Sequence, residues 1–493
     1  MSRRMHAIWR NLLVAIGVTL LGGCIDGGGI KPHSQLVDAS TLDAGAALAK
    51  DHGTWPNVDW WTHWHDAQLN ALVTQALAGQ PGLRAAMARV ELAQAQAKVA
   101  GANTFPQLNA VGDFGRERYP SYATPVPPGG YTVWSNDVGA TLSYQLDLWG
   151  KNRATLEGAM DVVHASAAEL HGVQLALETA VVRAYIELSL QYELQDVDQA
   201  ILDQASKTRA IVAQRLGAGL GSHLELSQAE AQVAVEASQL EQTNRQIAIM
   251  RNQLAALVGQ GPGAGASIGR PHLSLDLPVA LPASLPAELV GHRPDVVAQR
   301  WRVEAASKDI AVAHAAFYPN VDLVAMAGLA STTPFGGFFN FINSDAVGHR
   351  VGAAISLPIF EGGRLRGQYG AAVASYDAAV EAYNQNVILA MQQVADQVVS
   401  LQSLASEQQH VEQAVKEADK AYQLALLGYR NGITEFLNVL ATQTTLLRQR
   451  QQLAAIQAKR LDAWTLLMQA LGGGLESPSS ATAPRNGGDG HAS

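Results

Sequence analysis

One cysteine, Cys24, stands among 493 residues, so no disulfide can form within the chain and its stability must come from packing. Charge is also scarce. Asp, Glu, Lys and Arg make up 16% of the residues and sum to −9 at pH 7, a balance that excludes a nucleic-acid binder, because phosphate contacts require clustered Lys and Arg. The apolar stretch from Leu12 to Leu21 is too short for the ~20 residues of a spanning helix. Catalytic signatures are missing as well: there is no Walker loop, no zincin HExxH and no GxSxG elbow. The glycine-rich run from Gly259 to Gly263 follows a helical pattern rather than a strand, which excludes a dinucleotide loop. His63 and His65 lie among Trp60, Trp61 and Trp64 with no third ligand nearby, a pattern of packing rather than of a metal site. These absences lead us to expect no enzyme, no metal and no cofactor.

The N-terminus is informative. Arg3, Arg4 and Arg10 precede the apolar stretch, and Gly22 and Gly23 lead to Cys24, the layout of a secretory signal. Removal of residues 1–23 takes away three arginines and no acid, so the formal charge moves from −9 to −12. Leu21-Gly22-Gly23-Cys24 resembles the lipobox of bacterial lipoproteins, in which the cysteine is acylated and becomes the first residue. A covalent lipid on Cys24 gives an otherwise unexplained thiol a role, and more than one acyl chain, at ~0.8 kcal/mol per buried methylene, anchors stably. Asp26 is not adjacent to Cys24, so the resemblance implies delivery to the outer membrane, with residues 24–66 as a lipid-anchored extended segment. A soluble periplasmic protein with an incidental cysteine is the alternative.

The sequence is written twice. Phe105-Pro106 recurs as Tyr318-Pro319, Val138-Gly139 as Val351-Gly352, Gly150 as Gly363, Arg153 as Arg366 and Gly219 as Gly432, always 213 residues apart. A constant offset over such a length marks two copies of one structural unit, which we place at 67–260 and 287–471. A Pro- and Gly-rich crossover, 261–286, separates them, and a small polar tail, 472–493, is expected to be disordered. Each copy begins with two strands. From Asp137 to Asp147 the residues Val138, Ala140, Leu142, Tyr144 and Leu146 alternate with polar ones, and the other three strands follow the same period less cleanly. Tilted membrane strands need ~9 to 11 such residues, with one face to lipid and one to a lumen. Four strands cannot close a barrel, and an open edge in lipid costs several kcal/mol per unpaired group. Three subunits would supply twelve. Residues from Arg116 to Trp134 and from Ala330 to Arg350 read as outer loops. Their Tyr119, Tyr122, Trp134, Phe338 and Phe339 suit either a membrane aromatic belt or mutual packing.

Long helices follow the strands. No proline interrupts Gly362 to Leu427, where Val373, Val380, Val387, Val394, Leu401, Val415, Tyr422 and Tyr429 stand in steps of seven, broken by Gln408. Tyr369, Tyr376, Tyr383 and Ala390 form a second row. A strict heptad predicts supercoiled helices with knobs-into-holes packing. In the first copy Met160, Ala167, Val181, Leu188, Leu202 and Leu216 are the matching row, broken by Gln195. Each long helix ends in a glycine turn, Leu216 to Ser222 or Gly428 to Thr434, before a returning helix, with Ser222 and Thr434 as its caps.

Six motifs follow one another over residues 55 to 475: Trp60-Trp61 with Leu83-Arg84-Ala85-Ala86, Leu146-Asp147-Leu148-Trp149-Gly150, His292-Arg293-Pro294-Asp295-Val296, Ala315-Ala316-Phe317-Tyr318-Pro319, Tyr429-Arg430-Asn431-Gly432 and Leu471-Gly472-Gly473-Gly474. Together they resemble the outer-membrane factors of tripartite efflux pumps, of the TolC and OprM type in its NodT lipoprotein branch. The resemblance implies an α+β membrane protein and a homotrimer. Four strands per subunit would make a twelve-stranded outer-membrane β-barrel, continued by coiled α-helical hairpins that form a periplasmic α-barrel. It implies passive conduction of small molecules, with a periplasmic adaptor and an inner-membrane transporter as partners. The adaptor would dock on the tips, Leu216, Gly217, Ala218 and Gly219 in one hairpin and Tyr429, Arg430, Asn431 and Gly432 in the other. By position Tyr429 matches the tyrosine of a closing link, and Glu225 stands at an acidic place, with a solvated helix face as its plainer reading. Asn438 and Ala441 replace paired aspartates and Thr434 an arginine, which puts a cation-binding acidic ring in doubt; Glu225 and Glu435 are the compensating candidates. A non-channel coiled scaffold lipoprotein and a type I secretion duct are the competing readings.

Overall fold

The computed structural model describes residues 28–42, 55–122, 128–274, 291–332 and 337–474. The signal segment, Cys24, the crossover beyond 274 and the tail beyond 474 lie outside the described residues. Helices α1 (Ala67–Gly79) and α2 (Pro81–Ala102) lead to strands β1 (Gln107–Arg118) and β2 (Thr132–Leu146), then to α3 (Lys151–Gly217) and α4 (His223–Leu257). After the crossover, α5 (Pro294–Ala315), β3 (Asn320–Ser331), β4 (Val347–Ser356), α6 (Arg364–Arg430) and α7 (Phe436–Ala470) repeat the order. Matching helices have equal lengths, 67 residues in α3 and α6, 35 in α4 and α7, and 22 in α2 and α5, so the repeat is structural as well as textual. A helix of that greatest length runs ~100 Å.

Two compact units divide the chain. The first holds Met1–Leu36, Arg89–Ser166 and Gln299–Tyr383. Its centre is an antiparallel sheet in the order β1-β2-β3-β4. The register sets Leu108 against Leu142, Leu142 against Ala325 and Ala325 against Val351. One face therefore carries these residues with Val138, Leu323 and Ile355, while Asn109, Asp137, Thr141, Asp322 and Ser356 share the other. The outer strands β1 and β4 each pair on one side only among the described residues.

The strands run further than the sequence suggests. Arg116 pairs with Trp134 and Arg118 with Thr132, and the Arg116 guanidinium lies 5.7 Å from the Trp134 ring. Pairing of β-branched and aromatic residues with a cation over the ring extends the ladder into the expected loop, which shrinks to residues 119–131. Likewise Ser331 pairs with Asn136 and β4 begins at Val347, leaving 332–346 as the second loop. Phe338 packs edge-on to Trp134 at 5.2 Å and to Phe339 at 5.0 Å, while Tyr122 is fully exposed. Aromatics also mark all four strand–helix junctions: Phe105, Trp149, Tyr318 and Phe360, with Trp149 stacked on Tyr318 at 4.6 Å.

An extended N-terminal strap lies along α6. The Asp377 carboxylate accepts from the amides of His33 and Ser34 at 3.0 and 3.1 Å, Ile30 lies beside Gly370, and Gly28 lies beside Arg366.

The second unit holds Val37–Ala88, Ala167–Ala298 and Asn384–Ser493. Trp60, Trp61 and Trp64 are buried in its largest apolar cluster with Val181, Tyr185 and Val394, and His63 stacks on Trp464 at 5.6 Å. Asp66 caps α1 through the amides of Gln68 and Leu69, and its other oxygen accepts from the Tyr185 hydroxyl at 2.8 Å and the His272 amide at 2.9 Å. That oxygen ties the start of the crossover to α3.

The same joint is built in both copies. Gly259, at φ 77°, presses on the carbonyl of Gly79 just before Pro81 opens α2; a Cβ there would stand 2.8 Å from that oxygen. In the second copy Gly472, at φ 91°, presses on the carbonyl of His292 just before Pro294 opens α5. Gly473 and Gly474 also have positive φ and are buried against Leu175 and Asn57. Gly472, Gly473 and Gly474 therefore do not belong to a disordered tail as expected, because they take conformations and close approaches that no side chain allows. Arg293 locks the joint: it donates to Gln393 at 2.8 Å and to the Ala470 carbonyl at 3.3 Å while holding Asp295 at 2.7 Å.

The heptad of α6 is buried from Val373 to Leu401 and again at Tyr422 and Tyr429. In α3 the expected row departs. Val181 and Leu188 are buried, but Met160 is exposed and Leu202 and Leu216 are half-buried. The buried positions beyond Leu188 are Asp198, Ile201, Ala205, Thr208 and Val212. Polar residues in the seam disguise it, and a straight helix drifts against a seven-residue period.

Candidate functional site

The two hairpin ends lie in the second unit. Both long helices stop in the same way, with Gly219 at φ 75° and Gly432 at φ 74°. Leu220 donates from its amide to the Arg215 carbonyl at 2.9 Å, and Ile433 does so to Gly428 at 2.8 Å. This six-to-one bond closes a helix when the preceding residue is left-handed. Ser222 caps α4: its hydroxyl accepts from the Glu225 amide at 3.2 Å, and the Glu225 carboxylate accepts from the Ser222 amide at 3.0 Å. The second cap differs from expectation. Thr434 turns back to donate to the Ala425 carbonyl at 3.2 Å, and Glu435 takes the cap position without a side-chain bond.

Tyr429 lies within the field of the Glu225 charge, and a residue the sequence did not single out, Arg215, contacts it. Arg215 donates to the Tyr429 carbonyl at 3.0 Å and to the Leu220 carbonyl at 3.2 Å, and its guanidinium lies 4.7 Å from the Tyr429 ring centre. Arg215 thus ties the end of one hairpin to the end of the other. Its only sequence signal is a basic residue in the last turn of a helix, where carbonyls lack partners. The Tyr429 ring is buried 5.5 Å from Phe436, and its hydroxyl has no partner in hydrogen-bonding geometry. Burial and the Glu225 charge push this phenol above its ordinary pKa, with Arg215 opposing them. Below the link, Val212, Ala229, Tyr422, Val439 and Leu446 form an apolar cluster that joins all four helices.

The remaining tip residues face outward. Gly217, Ala218, Gly219, Arg430, Asn431 and Gly432 are exposed and Leu216 is half-buried. Glu435 and Asn438 are exposed, and their side chains make no hydrogen bond or ion pair among the described residues. At the hairpin ends the apolar residues Leu220, Leu224, Ile433 and Leu437 are 68, 67, 78 and 66% exposed, and they form two pairs at the repeat offset.

A family model described as outer membrane efflux protein matches residues 72–260 and again 285–473, two ranges separated by the same offset as the repeat. The chain is 44% identical over 367 residues to the fusaric acid resistance protein FusA of Burkholderia cepacia, covering 73% of this chain and 68% of that one. It is 30% identical over 490 residues to the multidrug resistance outer membrane protein MdtP of Escherichia coli (strain K12), covering 95 and 97%. Among solved structures, the outer membrane protein VceC of Vibrio cholerae matches with a TM-score of 0.80 at 36% identity, over 86% of this chain and all of that one. The outer-membrane channel OprN matches with a TM-score of 0.79 at 28% identity, over 92% of this chain and all of that one. The doubled architecture, the two-faced sheet and these matches agree: the chain belongs to the outer membrane efflux protein family and is an outer-membrane channel subunit.

Proposed function

We propose that three copies of this chain form one efflux duct, lipidated at Cys24, that receives small toxic molecules from an inner-membrane transporter through a periplasmic adaptor. The open four-stranded sheet carries the proposal. Its apolar face suits lipid, but the free edges of β1 and β4 are intolerable there. Three sheets joined edge to edge give twelve strands and remove every edge.

The strap supports the anchor. From Gly28 beside Arg366, near the sheet end of α6, four residues lead back to Cys24, a reach of ~14 Å at most. An acyl chain there meets the membrane that the junction aromatics Trp149 and Phe360 border. The adaptor reading is supported by Leu220 and Ile433, since the residue after a left-handed helix stop ordinarily packs on its own helix. Here both are turned outward, with Leu224 and Leu437 beside them. Similarity to a fusaric acid resistance protein supports small aromatic acids among the cargo. The Arg215–Tyr429 link holds the duct shut at rest.

The test is the full chain expressed in a deletion strain. Trimers that persist in detergent, conductance in planar bilayers and regained resistance to a compound panel that includes fusaric acid are expected. Cys24→Ala should lose the acyl mass, and Leu220→Glu with Ile433→Glu should lose crosslinking to the adaptor. Monomers without conductance would overturn the duct.

A further inference from the structure

Register sorts the charges of the sheet by face. Side chains alternate along each strand, and the pairing of β1 with β2, β2 with β3 and β3 with β4 runs without a slip. Asp113, Glu117, Asp137 and Asp322, all the acids of the four strands, therefore lie on the polar face together with Arg350. Asp113 and Asp137 are direct partners, a like-charge pair that costs stability unless solvent screens it. Arg116 and Arg118 go the other way. They share the apolar face with Leu108, Phe114, Trp134 and Val138, and no other Arg, Lys, Asp or Glu of the four strands lies on it.

Their height fits a membrane border. Arg118 is ten residues beyond Leu108, which is ~34 Å along a strand. At the ~40° tilt of membrane strands this is ~26 Å of height, and the apolar band of a membrane barrel is ~25 Å tall. The two arginines thus stand where the band ends on the side away from the helices, at the headgroups of the outer leaflet. Both residues are exposed. The Arg116 guanidinium lies 5.7 Å from the Trp134 ring, and neither arginine has a hydrogen bond or ion pair among the described residues. An unpaired cation on the rim of a lipid face calls for an anion. On the helix side of the pair, Phe114 and Phe339 are 52 and 71% exposed and both pack on Phe338. Asn136, buried on the same face, secures this aromatic group by donating to the Phe338 carbonyl at 2.6 Å.

We propose that Arg116 and Arg118 hold a phosphate of a glycolipid in the outer leaflet, while Phe114 and Phe339 take its acyl chains. Same-face neighbours on one strand are ~7 Å apart, so two guanidinium forks can converge on one phosphate group, whose oxygens match their geometry. Contact with Trp134 orients one fork before binding and lowers the entropy lost in ordering it. Exposed rings beside the arginines, toward the centre of the band, are what an anionic head with an apolar tail needs and what a free anion does not use. The site rests on the reading that the apolar face meets lipid.

Native mass spectrometry tests it on the detergent-solubilised full chain titrated with lipid A, the bis-phosphorylated glucosamine lipid. Bound lipid A is expected on the native chain. Arg116→Gln with Arg118→Gln should weaken binding about tenfold or more, Arg116→Lys with Arg118→Lys should restore part of it, and Arg350→Gln on the polar face should leave it unchanged. Lipid A stripped of its phosphates should bind the native chain no better than intact lipid A binds the Gln variant. Equal binding by the native chain and the folded Gln variant, or of lipid A with and without phosphates, would overturn the site. Displacement by an equal concentration of inorganic phosphate would overturn the lipid as its occupant. A chain that forms no pore yet holds lipid A through these arginines would discard the duct and keep the site; a conducting trimer whose lipid binding ignores them would do the reverse.

Discussion

Glu178 is a buried carboxyl displaced well above its ordinary range. Burial pushes its carboxyl up to about 7, and the neighbouring Trp60 indole offsets part of the rise. A raised carboxyl keeps its proton in the folded chain while the unfolded chain loses it. Its contribution is therefore greatest below the unfolded value of 4.5 and is lost as pH climbs to about 7, by on the order of 3 kcal/mol. Glu178→Gln should flatten that decline, so that the melting temperature at pH 8 rises toward that at pH 5; an undiminished difference in the variant would count against it. At the tip, Arg215→Ala removes two hydrogen bonds and a ring contact and is expected to raise single-channel conductance severalfold. Tyr429→Phe should do much less, because the link uses the Tyr429 carbonyl and ring rather than its hydroxyl. The family resemblance singled out Tyr429 and Glu225 by position, and Tyr429 is a residue that the Arg215 guanidinium contacts. Arg215 itself was not legible in the sequence, since its repeat equivalent is Gly428 and no pattern flags a residue that acts across hairpins.

Period decides what can be read of the elements. The strands and α6 were legible because alternation in two and in seven survives in their side chains. The outer half of α3 was not, because Asp198 and Thr208 occupy seam positions that an apolar row leaves out. Composition misled at Leu471-Gly472-Gly473-Gly474, where three glycines look like the start of a tail. Their positive φ and close neighbours make them a fitted stop to α7. Gly472→Ala is expected to destabilise the chain by more than ~2 kcal/mol, through both strain and collision with His292. The same change at Gly217, where a Cβ would meet nothing, should be nearly silent. Thermal unfolding of the two variants compares them directly.

At the scale of the whole molecule, the repeat explains why so many features come in pairs: helix lengths, glycine stops, joints and exposed tip leucines or isoleucines. It does not make the copies equal. Arg293 reinforces only the second joint, and the Arg215 link runs one way, from the first hairpin to the second. The free edges of β1 and β4 have a genetic consequence. In the proposed three-copy duct a protomer borrows its neighbours' edges and cannot be silently defective, because one bad edge spoils the whole ring. Proline placed in β1, at Asn109 or Val111, should therefore act dominantly: with equal amounts of normal and altered chain, only about one ring in eight contains no altered copy. Drug sensitivity in such a mixed strain should fall far closer to that of the deletion than to the midpoint.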